Sequence, residues 1–237
     1  MQVEIWSDVM CPFCYIGKRK FEKALAQFSH KENIEVVWKS FQLNPDLETN
    51  PSLSLVQSLA ESKGISLARA REMTGHATAL AAQVGLTYDF DAAVVANSFD
   101  AHRFSHLAKQ HGVQDAAEER LFAAYFTEGK NTADHRTLIQ LGTDIGLNAA
   151  EVRQTLESDV FAAEVAQDIA EARQVGVRGV PFFVLGGKYA VSGAQESETF
   201  LLALNKAWET QMQPGSSSPV QTNADAVCAP DGCEPQA

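Results

Sequence analysis

Strand-forming sequence lies only at the two ends of this 237-residue chain, and that separation constrains the fold more than any other feature. "VEIWS" (3–7) is apolar at alternate positions and bounded by polar residues, the pattern of a short strand. "IEVVWKSF" (34–41) is rich in β-branched and aromatic residues and predicts a second. Between them Tyr15, Ile16, Phe21, Leu25 and Phe28 recur at helical spacing among Lys18, Arg19, Lys20, Glu22 and Lys23. This β-α-β unit predicts a right-handed parallel crossover. Near the other end, "GVPFFVLGGKYAVSG" (179–193) places two apolar runs around Gly186-Gly187, a dipeptide suited to a tight hairpin. "SETFLLALNKAWETQ" (197–211) follows as a helix with Ser197 as its N-cap. Four strands from two distant segments, with helices to cover them, predict an α/β fold built on one mixed four-stranded sheet.

The middle of the chain has a different character. From residue 52 to about 175 the sequence is Ala-rich, with apolar residues three and four apart, and predicts five to seven helices. Gly85, Gly112, Gly129 and Gly146 fall at segment ends, and Asp134 and Asn148 at starts. The expected organisation is a discontinuous sheet domain (1–51 and 176–212), an all-helical insertion domain (52–175) and a tail (213–237). The tail is Pro/Ser/Gly/Asn-rich and too poor in large apolar residues to fold alone, so it is expected to be flexible.

A net charge of −11 disfavours nucleic acid and anionic membrane as partners, since both demand a cationic surface. No apolar stretch approaches the roughly 20 residues of a membrane helix. The first residues show no cationic segment followed by an apolar one, so the expected compartment is the cytoplasm. There, thiols at short spacing point to redox chemistry or metal binding rather than to structural staples.

The four cysteines form two close pairs, Cys11–Cys14 and Cys228–Cys233. Cys11 falls where the first strand has ended and the first helix begins, with Pro12 suited to the first helical position. A helix N-terminus favours an anion, so the Cys11 thiol is expected to ionise below the free value of about 8.5. Cys14 lies one turn on, within reach of a mixed disulfide at Cys11. An exposed attacking thiolate with a nearby resolving thiol is what dithiol–disulfide exchange needs. Lys18 and Arg19, taken as exposed, add little field. Phe13, between the cysteines, is expected to be exposed and to touch substrate, and Trp6 to serve either the core or the site. Asp8, three residues before Cys11, can act on the thiolate in either sense.

"CPFC" after a strand, "GVPFFV" about 170 residues later and the long helical interruption together resemble the thioredoxin superfamily, in its DsbA-like branch. "SDVMCPFCYIG", the "AHR" of "NSFDAHRFSHLA" and "GVRGVPFFV…VSGAQ" are similar to the FrnE-type cytoplasmic oxidoreductases. The resemblance covers residues 1 to about 210. It implies a thioredoxin-like fold, with Cys11 as nucleophile, Cys14 as resolving cysteine and Pro181 as a cis-proline facing them. It further implies that the Val180 backbone pairs with an extended substrate. Protein thiols and disulfides would be the partners, with glutathione beside them, in thiol–disulfide oxidoreductase or isomerase chemistry that requires no organic cofactor. Kappa-class glutathione transferases and hydroxychromene-carboxylate isomerases resemble the chain in layout but carry serine at the position of Cys11. They define an alternative function, and a metal-binding stress protein a third.

Cys228 and Cys233 enclose "APDG", a turn sequence able to close a small reducible ring. On a flexible tether this pair is placed to exchange electrons with Cys11 and Cys14, as a relay. No metal site is expected: a four-cysteine zinc site fits less well than redox pairs, and His102 and His106, four apart, lack a third ligand and read as packing or surface residues. Phe182 and Phe183 read as core. His30, His76, His111 and His135 form no constellation.

Overall fold

The computed structural model describes residues 1–212 and 221–222. The first unit comprises β1 (Gln2–Ser7), α1 (Pro12–Gln27), a 3-10 turn (Lys31–Asn33) and β2 (Glu35–Ser40). A two-residue β4 (Val94–Val95) pairs with β3 (Asn50–Ser54), and between them lie α2 (Leu55–Lys63) and α3 (Leu67–Gln83). Five further helices follow: α4 (Phe99–Gln110), α5 (Gln114–Phe126), α6 (His135–Asp144), α7 (Ala149–Leu156) and α8 (Ala162–Val175). The chain returns to the sheet with β5 (Phe182–Leu185) and β6 (Tyr189–Ser192), then α9 (Ser197–Met212) and a two-residue β7 (Gln221–Thr222).

The main sheet runs β2-β1-β5-β6-β7. β1 and β2 are parallel, with Val3 opposite Val36 and Trp6 opposite Lys39. β5 is antiparallel to β1, Ile5 facing Phe183, and β6 is antiparallel to β5. The four expected strands are therefore present, and β7 adds a fifth, parallel to β6. The hairpin turns at Gly186 and Gly187, whose φ values of 58° and 67° are those a type I′ turn asks of both central residues. Asp134 and Asn148 cap α6 and α7 by accepting hydrogen bonds from backbone N–H groups, as expected. Ser197 is the first residue of α9 rather than its cap.

Strand alternation divides the core. Val3, Ile5, Phe183, Leu185 and Val191 face α1 and α9, where Phe21 and Phe200 close on Phe183. Trp6, Phe182, Val184 and Ala190 face the other way, onto Ala172 and Val177 at the end of α8. Phe182 and Phe183 are both core residues, on opposite faces. The first cluster continues without a break into the helical block through Tyr15, Phe122, Phe104 and Leu141. Helices α4 to α7 thus share a core with the sheet instead of enclosing one of their own.

Two ion-pair networks reinforce this junction. Lys18 of α1 lies buried between Glu22 of its own helix and Asp115 and Glu119 of α5, and Arg19 binds Glu22 and Glu119. The expectation of exposed cations is corrected: partners about 100 residues away cover them. On the opposite face Asp168 of α8 accepts from Lys39 Nζ and the Ser40 N–H, both at 2.9 Å, and pairs with His106 of α4 at 3.1 Å. No described helix is long and apolar enough to cross a membrane.

Candidate active site

Cys11 is the N-cap of α1 and Pro12 its first residue. The Cys11 N–H donates to the Asp8 carbonyl and the Cys14 N–H to the Cys11 carbonyl, each near 3 Å, so the turn from Asp8 fixes where both thiols point. Both are free thiols in this structure. They are also covered: Cys11 is 4% exposed and Cys14 1%, which corrects the expectation of an exposed nucleophile. The cover comes from sequence far away. The Val180–Pro181 bond is cis, and the Cys11 thiol donates to the Val180 carbonyl at 3.4 Å. The Val180 N–H has no partner among the described residues. Phe13 is half-buried and packs against the core instead of standing free.

The segment around Pro181 approaches α1 at Gly17. A Cβ there would lie 2.9 Å from Pro181 Cγ and 3.5 Å from Phe183 Cζ. Gly17→Val should therefore push Pro181 off the cysteines and destabilise the protein by about 1–3 kcal/mol, the usual cost of overpacking. Urea unfolding measures the stability. A midpoint equal to that of the unsubstituted protein would mean the segment yields freely.

The two thiols are electrostatically unequal. Burial pushes the Cys14 thiol well above its ordinary range, and its hydrogen bond to Cys11 and the negative charge there push it further. The Ser7 hydroxyl and the Asp8 N–H, both facing its sulfur, oppose this without overcoming it. Cys14 therefore keeps its proton at neutral pH. Tyr88, which sequence reading passed over in the loop-like "GLTYDF", donates to the Pro12 carbonyl at 2.7 Å. Burial, then the charges of Cys11 and Cys14, raise its pKa and keep it a neutral donor.

Asp8 is completely buried. Its carboxylate accepts from the Leu43 N–H at 2.7 Å and the Met10 N–H at 3.4 Å, which ties down the turn carrying Cys11. His102 Nε2 approaches Asp8 Oδ1 at 3.5 Å. His106 instead pairs with Asp168 and Ser40. The HxxxH pair is thus neither surface nor a shared metal ligand set, since each imidazole faces its own carboxylate on the sheet side. Arg103, beside His102, turns inward and donates to the carbonyls of Thr155, Ser158 and Val160, tying α4 to the end of α7. Trp6 is buried, donating from Nε1 to the Asp168 carbonyl at 3.0 Å, so it belongs to the core. Among the described residues no group of three or more His, Cys, Asp or Glu could hold a metal ion. Cys228 and Cys233, with the expectation of a flexible tether, lie outside the described residues.

Comparison with known proteins identifies the family and the fold. The model of the DSBA-like thioredoxin domain matches residues 2–205. The uncharacterized protein YwbO of Bacillus subtilis is 26% identical over 217 residues, 86% of this chain and 96% of that protein. A probable DsbA oxidoreductase of Streptomyces coelicolor superposes with a TM-score of 0.83 at 38% identity, covering all of both chains. The cytosolic disulfide reductase DsbM of Pseudomonas aeruginosa, also solved with GSH, shares the fold at 17% identity, TM-score 0.59, over 90% of this chain and 98% of its own.

Proposed function

Because the chain belongs to the family of DSBA-like thioredoxin domains, we propose that it is a cytoplasmic thiol–disulfide oxidoreductase of the FrnE type, with Cys11 as nucleophile and Cys14 as resolving cysteine. The observation that carries this reading is the inequality of two adjacent thiols at a helix start: one caps the helix, the other is held protonated beside it. The Cys11 thiolate attacks a substrate disulfide, the substrate's first sulfur leaves as a thiolate, and a mixed disulfide remains on Cys11. Cys14 then attacks Cys11, closing the Cys11–Cys14 disulfide and releasing the second substrate thiol. Isomerisation follows the same first step when a different thiolate of the substrate attacks the mixed disulfide in place of Cys14, forming a new substrate disulfide and releasing Cys11 as the thiolate. Val180, whose N–H is unpartnered among the described residues and whose carbonyl faces Cys11, would seat an extended peptide beside the thiol, with Pro181 and Phe13 lining the approach. Glutathione is the proposed small-molecule partner for regenerating the dithiol, in keeping with its presence in DsbM. The decisive experiment is reduction of insulin by the purified protein, with and without prior alkylation of its thiols. Activity that survives alkylation would overturn the reading in favour of glutathione-dependent transfer or isomerisation.

The second cysteine pair belongs to this proposal as an electron relay. β7 runs parallel to β6, whose Ser192 end lies opposite Phe182 and so beside Pro181. Five residues separate Thr222 from Cys228, a span of at most about 20 Å. This reach supports an encounter between the tail pair and Cys11. Variants that keep one cysteine of each pair, Cys14→Ser combined with Cys228→Ser or Cys233→Ser, should trap a disulfide between tail and active site, detected by peptide mass mapping. Complete absence of such a cross-link under mild oxidation would remove the relay.

A further inference from the structure

The loop that follows β2 leaves the active-site turn and becomes one wall of a surface cavity. The Phe41 N–H donates to the Ser7 carbonyl at 3.0 Å and the Leu43 N–H to Asp8 Oδ2 at 2.7 Å, so the loop starts beside the turn that carries Cys11. Gln42, Pro45 and Thr49 then line a cavity of about 430 Å³, with Asn97, Phe99 and Asp100 opposite them where α4 begins. His102, one turn after Phe99, approaches Asp8. Two separate elements therefore tie the cavity to the active-site turn. The backbone links through Asp8 and Leu43 place it about 10–15 Å from Cys11, or about three to five residues of extended chain.

This cavity has spent its donors and kept acceptors. Asn97 Nδ2 donates to the carbonyls of Pro45 and Leu47 at 3.0 and 2.9 Å, and Gln42 Nε2 to Asn97 Oδ1 at 3.3 Å. The Asn97 N–H goes to Thr49 Oγ1 and the Phe99 N–H to Asn97 Oδ1. Gln42 Oε1 has no partner among the described residues. The Asp100 carboxylate accepts from Arg103 at 2.8 Å and meets His135 Nε2 at 2.9 Å, and each oxygen keeps a second lone pair. Asp100 also answers the positive end of α4, in whose first turn it stands. No lysine or arginine lines the cavity. Arg103, 6.0 Å from the Phe99 ring centre, is balanced by Asp100 and donates its other N–H groups to the carbonyls of Thr155, Ser158 and Val160. Asp46 and Glu48 stand exposed between Pro45 and Thr49 and add negative charge to the same loop. The Phe99 ring, 37% exposed, supplies an apolar wall. Acceptors, acidic surroundings and an aromatic wall together suit an ammonium or guanidinium carried on an apolar stem.

We infer that this cavity receives a lysine or arginine side chain of the substrate, about three to five residues from the cysteine under attack, and so selects cationic disulfide peptides. The inference rests on the exchange chemistry proposed above. A net charge of −11 draws such peptides toward the protein as a whole, and the cavity fixes where their charge comes to rest. Residues 213–237 contain no lysine or arginine, so the chain's own tail does not compete for it. A substrate held both at Val180 and in the cavity has its disulfide oriented before attack, which converts binding into rate. An acidic side chain at the same place would meet Asp46, Glu48 and unpaired acceptors, and would be rejected. Gln42, Phe99 and Asp100 are thereby specificity-determining residues that touch the substrate away from its sulfur.

The test uses short peptides with a single cysteine capped as a thionitrobenzoate disulfide, and the Cys14→Ser protein, on which the adduct at Cys11 persists. Lysine, norleucine or glutamate is placed at successive distances on either side of the cysteine. The rate of adduct formation is read from thionitrobenzoate release, and intact mass confirms the peptide on Cys11. At about 0.15 M salt, where attraction to the distant surface is largely screened, lysine should outpace norleucine by about fivefold or more at one position about three to five residues away, and glutamate should be slower than norleucine. Phe99→Ala and Gln42→Leu should each bring the lysine-to-norleucine ratio at that position toward one. Asp100→Asn should do the same, and the first two decide the matter if it loosens Arg103 and fails to fold. A ratio near one at every position, or a lysine preference that is equal at all positions, overturns the cavity as a subsite and leaves the redox assignment standing. A positional preference that survives both Phe99→Ala and Gln42→Leu overturns it as well. Failure of every peptide to form an adduct overturns the redox assignment itself.

Discussion

Cys11→Ser should reduce disulfide reductase activity on insulin to the uncatalysed rate, while Cys14→Ser should retain the first step and accumulate mixed disulfides. A serine hydroxyl does not form the S–S bond that carries the electrons, so the loss at position 11 is complete. At position 14 the nucleophile remains and only its release is blocked, so turnover should fall by more than about tenfold while covalent adducts rise. The pH dependence sharpens the contrast. Burial and the interaction with Cys11 hold the Cys14 thiol above its ordinary range, so release should quicken as pH rises past neutrality. Insulin turbidity and intact-mass analysis of the quenched protein read the two effects. Full turnover in Cys11→Ser, or no adduct in Cys14→Ser, would end the assignment of roles.

The position of Cys11 was legible from sequence because it is a local matter. A strand ends at Ser7, proline stands at the first helical position, and Cys11 must fall between. The covering of that cysteine was not legible. It depends on the Val180 carbonyl, 169 residues away, and on how closely Gly17 lets Pro181 approach. Asp8 could be noticed but not interpreted, since its neighbours Leu43 and His102 come from a loop and a helix of different segments. Tyr88 carried no periodic signal, sitting in an irregular stretch between α3 and β4. The fold shows the same division. Amphipathic helices and alternating strands declare themselves locally, whereas "NPSLS" has proline and no β-branched residue and becomes β3 only because Val94 and Val95 lie beside it. The "AHR" segment divides its work between two structural levels. Arg103 serves the helical block, as a reading confined to that block would expect, while His102 crosses to the active-site turn.

The largest loss of stability away from the cysteines should follow Asp168→Ala. Asp168 is where α8, β2, α4 and β1 meet: its carboxylate binds Lys39, the Ser40 N–H and His106, and its carbonyl accepts from Trp6. Removing the carboxylate leaves the Ser40 N–H without its acceptor and the Lys39 ammonium more weakly compensated, at 3.8 Å from Glu4 and 2.6 Å from Glu171. Breaking a buried charge network by deleting one partner costs about 3–5 kcal/mol. Urea unfolding at pH 7 should show a loss of that size, and Asp168→Asn, which keeps an acceptor for Ser40, a smaller one. The acid limb gives the sign. Burial alone would raise the Asp168 pKa, but His106, the Ser40 N–H and Lys39 lower it below the unfolded carboxylate value. Its contribution is therefore fully present above an unfolded pKa of about 3.9 and fades as pH falls through the lower folded value. The gap between the unsubstituted protein and Asp168→Ala should hold its size down to about pH 5 and narrow below pH 4. A gap that stayed constant into strong acid would mean that the variant loses packing rather than charge, and that the sheet and helices are held here by shape alone.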